Sequence, residues 1–319
     1  MFRFAAVIPL ALLSLVANAN ANEPCPALSA EPYCVAGTHA WLYGVDSEQT
    51  RILAGDLEQN AVLFQRYFGR PAPRLAIMLG DTEGPDDGTR QYLLDQGADI
   101  VMAWPDADAF ASMRNAGGSQ EDPASRLLAS QPGLQQAIWR NVTRHELGHV
   151  AFNHAFWPGV ATGRGHGHSR SPDWLNEMAA MLLEPDASAD HRRRYMKTAV
   201  ANAATVPLPT LSQLLAMPNP ARPRNEQAPS SKGVSLVYRS NENAEERAAS
   251  TLYYAQLQAL ADFLLASSNG PDVFGSLAGS IASGAPIEQW LRTDAPRFGF
   301  PADLDALGRA WNAWLGSEQ

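Results

Sequence analysis

The twelve residues at 139–150, WRNVTRHELGHV, restrict the possible folds of this chain more than any other stretch. They contain the pattern His145-Glu146-x-x-His149, whose two histidines are four positions apart. On an α-helix, side chains with that spacing share one face, with their Cβ atoms about 5–6 Å apart. Two imidazoles placed in this way can bind one metal ion without backbone strain, and Glu146 lies within reach of a water molecule on that ion. The stretch therefore predicts a helix that carries part of a metal site.

The residues around this pattern favour a helix over 134–157. Pro132-Gly133 precedes that range and Pro158-Gly159 ends it, and both pairs are typical of helix boundaries. The alternative interpretation is an ordinary helix with two buried, hydrogen-bonded histidines, but the motif carries a mechanism that a random pair of histidines lacks. Small and apolar side chains fall mostly on the side away from the histidines, which predicts a buried back. They are Leu147, Val150, Ala151 and Ala155.

A zinc site of this kind needs a third protein ligand. The metzincin pattern requires a histidine at position 155, where this chain has Ala155. A second helix is predicted over 171–184, before Pro185, and it carries Glu177. Glu177 completes a set of two histidines and one glutamate, which leaves the fourth position on the ion for water.

Other histidines are weaker candidates. His166 and His168 lie in the glycine-rich segment 161–170, between the two predicted helices. They are rival ligands, but a glutamate on a rigid helix preorganises a metal site better than a glycine-rich loop does. His154 is predicted to lie on the wrong side of the first helix, and His191 on a solvated helix face.

These residues resemble a known family. The pattern HExxH followed by WLNE at 174–177 is similar to the gluzincin metallopeptidases, and most closely to the secreted peptidase MA-like family, whose second motif reads W-L-x-E-G-x-A. The resemblance implies one Zn²⁺ ion held by His145, His149 and Glu177, with Glu146 as the catalytic carboxylate. It also implies an α+β, zincin-like two-lobe fold. Its N-terminal lobe would hold a small mixed sheet and the active-site helix, and its C-terminal lobe would be mainly α-helical.

Two positions depart from the family's pattern. Met178 stands where the second motif has glycine, a residue that would let two backbones approach closely. Met181 stands where the better-known gluzincins have an aspartate that supports a zinc-bound histidine. The support for that histidine must therefore come from elsewhere in this chain.

A tyrosine pair is the candidate for stabilising the developing oxyanion. Residues 251–265 are predicted to be helical and resemble the family's Y-A-Q-S helix. In related gluzincins a tyrosine or histidine of this lobe donates a hydrogen bond to the oxyanion. The match implies Tyr254 for this role, with Tyr253 or a loop histidine as the alternative. A tyrosine in an amphipathic helix is also commonly a packing residue, and that interpretation stays open.

The N-terminus indicates export. Residues 1–21 have the organisation of a signal peptide, with Arg3, an apolar stretch at 5–16 and the cleavage pattern Ala19-Asn20-Ala21. The apolar stretch is too short to span a membrane comfortably, and an uncleaved anchor is the alternative. The mature protein is expected in the periplasm or outside the cell, without stable membrane insertion. Because exported proteins meet oxidising conditions, the only two cysteines, Cys25 and Cys34, are predicted to form a disulfide.

The chain is expected to divide after the signal peptide into two parts. Residues 22–184 form the predicted α/β lobe with the zinc-binding helices, and 185–319 the mainly helical lobe with a flexible insertion near 218–246. In gluzincins an edge strand before the active helix pairs with the substrate backbone, and 98–103 is the candidate for that strand. Hydrophobic periodicity predicts a helix at 47–68, strands at 74–79 and 97–104, and further helices at 272–281, 287–291 and 304–315.

Together these features predict an exported zinc-dependent metallopeptidase in which Glu146 acts as the general base. Its partner would be a peptide or protein substrate, since a net charge of −9 argues against nucleic acid and anionic membrane surfaces. One alternative is a zinc hydrolase of a non-peptide amide, such as a cell-wall fragment. Another is a non-catalytic secreted binding protein with a zincin fold, although such a scaffold has no need of Glu146.

Overall fold

The computed structural model describes residues 24–28, 33–80, 84–117, 131–159, 170–203, 207–221 and 243–317. The predicted signal peptide, the loop that carries His166 and His168, and most of the predicted insertion near 218–246 lie outside the described residues. Within the described ranges, every helix is too short or too polar to span a lipid bilayer.

A small mixed sheet forms the β part of the fold. Its strands β1 (Tyr33–Ala36), β2 (Ala40–Gly44), β3 (Leu75–Leu79) and β4 (Ile100–Trp104) lie in that order across the sheet. The pair β1–β2 is antiparallel, whereas β2–β3 and β3–β4 are parallel. The parallel strands are apolar along their whole length because both faces of the sheet are covered. The α+β class and the two predicted strands are confirmed, and β4 lies at the edge of the sheet.

The helices make up most of the described chain, and the predicted ones are all present. Asp46 caps the first helix by accepting hydrogen bonds from the backbone N–H groups of Glu48 and Gln49, and Gly69 ends it in the left-handed conformation. In chain order the helices are α1 (Ser47–Phe68), α2 (Asp87–Asp95), α3 (Ala107–Gly117), α4 (Pro132–Phe156), α5 (Asp173–Met181), α6 (Asp186–Ala201), α7 (Leu211–Ala216), α8 (Ala244–Ser267), α9 (Val273–Ala282), α10 (Ile287–Thr293) and α11 (Leu304–Ser317).

The helix α4 lies between the two main parts of the apolar core. Trp139 and Leu147 pack with the sheet and α1, in a cluster that includes Ile77 and Trp104. Phe152, on the same helix, packs in the largest cluster, which joins α1, α4 and α5 to the C-terminal helices. The HExxH segment is thus held between these two apolar clusters.

The disulfide between Cys25 and Cys34 is present, as predicted. It joins the N-terminal segment to β1, and the hydroxyl of Tyr43 on β2 donates a hydrogen bond to the carbonyl of Pro26 at 2.9 Å. These two links attach the segment 24–28 to the sheet.

Candidate metal centre

Three side chains from two helices converge on one point. His145 and His149 project from α4 with their rings nearly perpendicular and their Nε2 atoms 3.0 Å apart. Glu177, on α5, places Oε2 at 3.3 Å from Nε2 of His145 and 3.6 Å from Nε2 of His149. His149 and Glu177 are buried, and His145 is partly buried. The three residues predicted as metal ligands are therefore brought together.

The separations fit a metal ion. Ligands arranged tetrahedrally about 2.05 Å from a zinc ion lie about 3.3 Å from one another, and the three observed separations bracket that value. Oε2 of Glu177 is buried and has no hydrogen-bond partner among the described residues. Its distances to the imidazoles exceed those of a charge-assisted hydrogen bond, and a carboxylate oxygen left without a partner in the interior is strongly unfavourable. A cation at this point would satisfy that oxygen and both imidazole nitrogens.

The support for His145 comes from Glu184, which the sequence pattern did not identify. Glu184 lies in the turn after α5, and its Oε1 is 2.7 Å from Nδ1 of His145. Arg192 of α6 holds the same carboxylate through Nη2, at 2.6 and 2.5 Å from its two oxygens, and its Nη1 is 3.3 Å from Oε1 of Gln258. Because a carboxylate only accepts hydrogen bonds, Nδ1 carries the proton, which leaves Nε2 of His145 to bind a metal. Glu184 thus supports His145 in place of the residue at position 181, which is Met181 in this chain.

The charges of the cluster are strongly coupled. Burial alone would lower the pKa of His145, but contact with the carboxylates of Glu177 and Glu184 raises this pKa well above its ordinary value. Burial alone would raise the pKa of Glu177, but the charge of His149 and the contact with His145 hold it well below its ordinary value. Protons and a metal cation therefore compete for the same three side chains.

A glycine in the HExxH segment lets the two helices approach. A Cβ atom on Gly148 would lie 3.1 Å from Cα of Ala180 and 3.3 Å from Cδ1 of Leu183. The close contact between α4 and α5 is thus at Gly148, whereas Met178, at the family's glycine position, is fully buried in the core. This contact lies one residue from His149 on α4 and three residues from Glu177 on α5.

Tyr254 lies beside the cluster, connected to it through Asn219. Nδ2 of Asn219 is 2.7 Å from Oε1 of Glu177 and 3.2 Å from the hydroxyl oxygen of Tyr254. Burial raises the pKa of Tyr254 well above its ordinary value, and the charges of Glu177 and, more weakly, of Glu146 act in the same direction. The Tyr254 hydroxyl is thus neutral, and it lies within the electrostatic reach of both carboxylates. Asn219 was not identified by the sequence pattern.

The alternative tyrosine, Tyr253, has a different environment. Its side chain is fully buried, and its hydroxyl has no hydrogen-bond partner within the described part of the chain. Burial and the charge of Glu177 raise its pKa as well. Among the described residues no hydrogen bond joins its hydroxyl to the cluster, whereas Asn219 joins that of Tyr254 to Glu177.

The edge strand β4 is fixed against α4. Nε1 of Trp104 donates to Oγ1 of Thr143 at 2.9 Å, two positions before His145. Nε1 of Trp139 donates to the carbonyl of Pro105 at 3.0 Å. The carboxyl end of the candidate substrate-pairing strand is therefore joined to the helix that carries the histidines.

The remaining histidines of the described chain lie outside the cluster. His39 is partly buried just before β2, His154 is partly buried near the end of α4, and His191 is exposed on α6. The rival ligands His166 and His168 lie outside the described residues.

Comparison of the chain with protein-family models, with curated proteins and with solved structures found no match. The likeness to the gluzincins stays a prediction carried by the short motifs at 145–149 and 174–177.

Proposed function

We propose that this chain is an exported zinc-dependent peptidase in which His145, His149 and Glu177 hold one zinc ion. The observation that supports this most is the convergence, within 3.0–3.6 Å of one another, of two imidazole nitrogens and a carboxylate oxygen that has no hydrogen-bond partner in the described ranges. Two histidines and one glutamate are the ligand set of a catalytic zinc site with an open fourth position. A zincin-like pair of lobes on either side of this site belongs to the same proposal.

The chain supplies the groups that peptide hydrolysis needs. Zinc, when bound, provides Lewis-acid polarisation and acidifies a water ligand to a pKa of about 7. Glu146 accepts the proton of the attacking water and passes it to the leaving amine. The neutral hydroxyl of Tyr254 donates a hydrogen bond to the carbonyl oxygen as negative charge develops there. Glu184 and Arg192 keep His145 in the tautomer that presents Nε2.

Two further features suit this function. The edge strand β4 is the strand on which we propose that an extended peptide pairs, and such a peptide would replace the hydrogen bond from Arg90 to the carbonyl of Val101. The disulfide between Cys25 and Cys34 is typical of an oxidising compartment, which agrees with the predicted signal peptide.

Digestion of a mixed peptide library tests the proposal directly. The purified protein should contain about one zinc per chain and cleave the library, and a chelator should abolish the cleavage. Glu146→Gln should retain zinc and lose about 10²–10⁴-fold in rate, because a general base contributes that much. Glu288→Gln, a matched change at an exposed position of α10, should leave the rate unaltered. Cleavage that survives in Glu146→Gln, or in the chelator, rejects the proposal.

A further inference from the structure

Asn219 occupies an unusual position for a residue outside any helix or strand. It follows α7 and makes four hydrogen bonds, three with its side chain and one with its backbone. Nδ2 donates to Glu177 and to Tyr254, Oδ1 accepts from the backbone N–H of Ala221, and its backbone N–H donates to Oδ2 of Asp173 at 2.9 Å. One residue thus connects α5, which carries the third candidate ligand, to α8, which carries the candidate tyrosine.

The chemistry of the neighbours determines which way the amide faces. The Glu177 carboxylate can only accept, so the –NH₂ group must face it, and the backbone N–H of Ala221 can only donate, so the carbonyl oxygen must face that. The two hydrogens of the –NH₂ group are then directed to Oε1 of Glu177 and to the oxygen of Tyr254. Because the Tyr254 oxygen accepts here, its own proton is directed to another acceptor.

We propose that Asn219 is a positioning residue of the metal centre. It holds Oε1 of Glu177 so that Oε2 alone faces the imidazoles, and it holds the Tyr254 hydroxyl so that its proton is available to the reacting oxygen. The inference rests on the proposed function and adds a residue to it. Aspartate at this position would have no donor for Glu177, and serine is too short to reach both partners, so asparagine suits the position.

Metal binding measures the first half of this role without any substrate. Zinc affinity is measured by competition with a chelator of known affinity, and the coordination geometry from the visible spectrum of the Co²⁺-loaded protein. Asn219→Leu keeps the approximate shape and removes both donors. It should lower zinc affinity about 10–100-fold, the range for residues that orient metal ligands, and alter the Co²⁺ spectrum. Asn312→Leu, the same change at an exposed position of α11, should alter neither.

Tyr254→Phe separates the two halves of the role. Removing the hydroxyl leaves the contact between Asn219 and Glu177 in place, so zinc affinity should stay within about twofold of wild type while the peptidase rate falls. In the double variant Asn219→Leu/Tyr254→Phe, the rate loss should be smaller than the product of the two single losses, because Asn219 acts partly through Tyr254. If the rate loss of the double variant equals the product of the two single losses, this half of the proposal is wrong.

The remaining outcomes distinguish this inference from the proposed function. If wild type binds zinc and Asn219→Leu binds it equally tightly with the same Co²⁺ spectrum, the inference fails and the peptidase proposal stands. If wild type binds neither metal, both fail. Thermal unfolding in chelator shows whether Asn219→Leu folds, and Asn219→Ser, with the same expected loss of affinity, replaces it if it does not.

Discussion

The helix α4 carries two polar clusters, and they differ in how completely their charges are paired. The α1-facing cluster comprises Asp56, Asn60, Arg140 and Arg144, and the metal cluster comprises His145, His149 and Glu177. In the α1-facing cluster, Nε and Nη2 of Arg140 each lie 2.7 Å from a different oxygen of Asp56. Nε of Arg144 lies 2.8 Å from Oδ1 of Asn60, and the charge of Asp56 lies 3.9 Å from Nη1.

In the metal cluster the charged and polar atoms are not paired in this way. Within the described residues, Oε2 of Glu177 lacks a hydrogen-bond partner. The Nε2 atoms of His145 and His149 face each other at 3.0 Å. Charge inside the fold therefore does not by itself mark a functional site, since the charged groups of the α1-facing cluster are paired with each other, with Asn60 and with the carbonyl of Leu183. The feature that distinguishes the second cluster is a shared point between two imidazoles and a carboxylate, which a proton or an added cation can occupy.

The largest effect is expected from breaking the α1-facing cluster. Asp56→Ala removes the acidic side chain that lies within ion-pair distance of the almost fully buried Arg144 in the described part of the chain, and should lower the free energy of unfolding by about 3–5 kcal/mol. Urea denaturation measures this change, and zinc affinity should stay within about twofold of wild type. Asp190→Ala removes the exposed acidic partner of Arg193 and should lower the free energy by at most about 1 kcal/mol. Equal losses in the two variants would contradict the structural role.

The next largest effect is expected at the metal cluster. Glu177→Gln keeps the shape but removes the charge of the third ligand, and zinc affinity should fall more than about 100-fold, beyond the range for residues that only orient ligands. Chelator competition measures it, with Glu288→Gln as the matched surface control. Unchanged zinc content after dialysis would instead assign the third ligand to His166 or His168.

A smaller loss is expected from the residue behind His145. Glu184→Gln keeps one acceptor for Nδ1 but weakens the contact with Arg192, and zinc affinity should fall about 10–100-fold. Arg192→Lys retains the positive charge and loses the second nitrogen, which contacts Gln258 and holds the side chain in place, so its loss should be in the same direction and smaller. If both variants bind zinc as wild type does, Glu184 has no part in positioning His145.

Local patterns were enough to predict one part of the molecule and not another. The helix α1 was predicted with its observed bounds because both signals are local. Its apolar spacing lies within the helix, and the glycine that ends it follows directly. The strand β2 was missed because it has five residues, all buried, without the alternation that marks a strand exposed on one face. Helix α5 is shorter at both ends than predicted, since residues 171 and 172 precede it and residues 182–184 form a turn and a bend after it.

In the candidate site, too, some residues could be predicted from local patterns and others could not. His145, His149 and Glu177 follow from spacing within two helices, so the sequence was sufficient to select them. Glu184 and Asn219 lie outside helices, and their contacts depend on how α4, α5 and α8 cross. The only signal for Glu184 was an acidic residue just before Pro185, and for Asn219 there was none within its own segment.

The smallest effect is expected where α4 and α5 touch. In Gly148→Ala the new methyl group would meet backbone, at 3.1 Å from Cα of Ala180, so it cannot be relieved by a side-chain rotation. Crowding of this kind costs about 1–3 kcal/mol, and the better helix propensity of alanine offsets about 1 kcal/mol of it. Glu177 lies on the same helix as Ala180, so zinc affinity should fall about threefold while the fold is retained.

Gly55→Ala provides the control for propensity alone. Gly55 lies on the exposed face of α1, and a Cβ atom there would meet nothing within 4 Å. That variant should gain about 1 kcal/mol in the free energy of unfolding and leave zinc affinity unaltered. The difference between the two alanine variants then measures the helix contact by itself. If Gly148→Ala gains as much stability as Gly55→Ala and binds zinc equally well, the spacing of the histidines and Glu177 does not depend on Gly148.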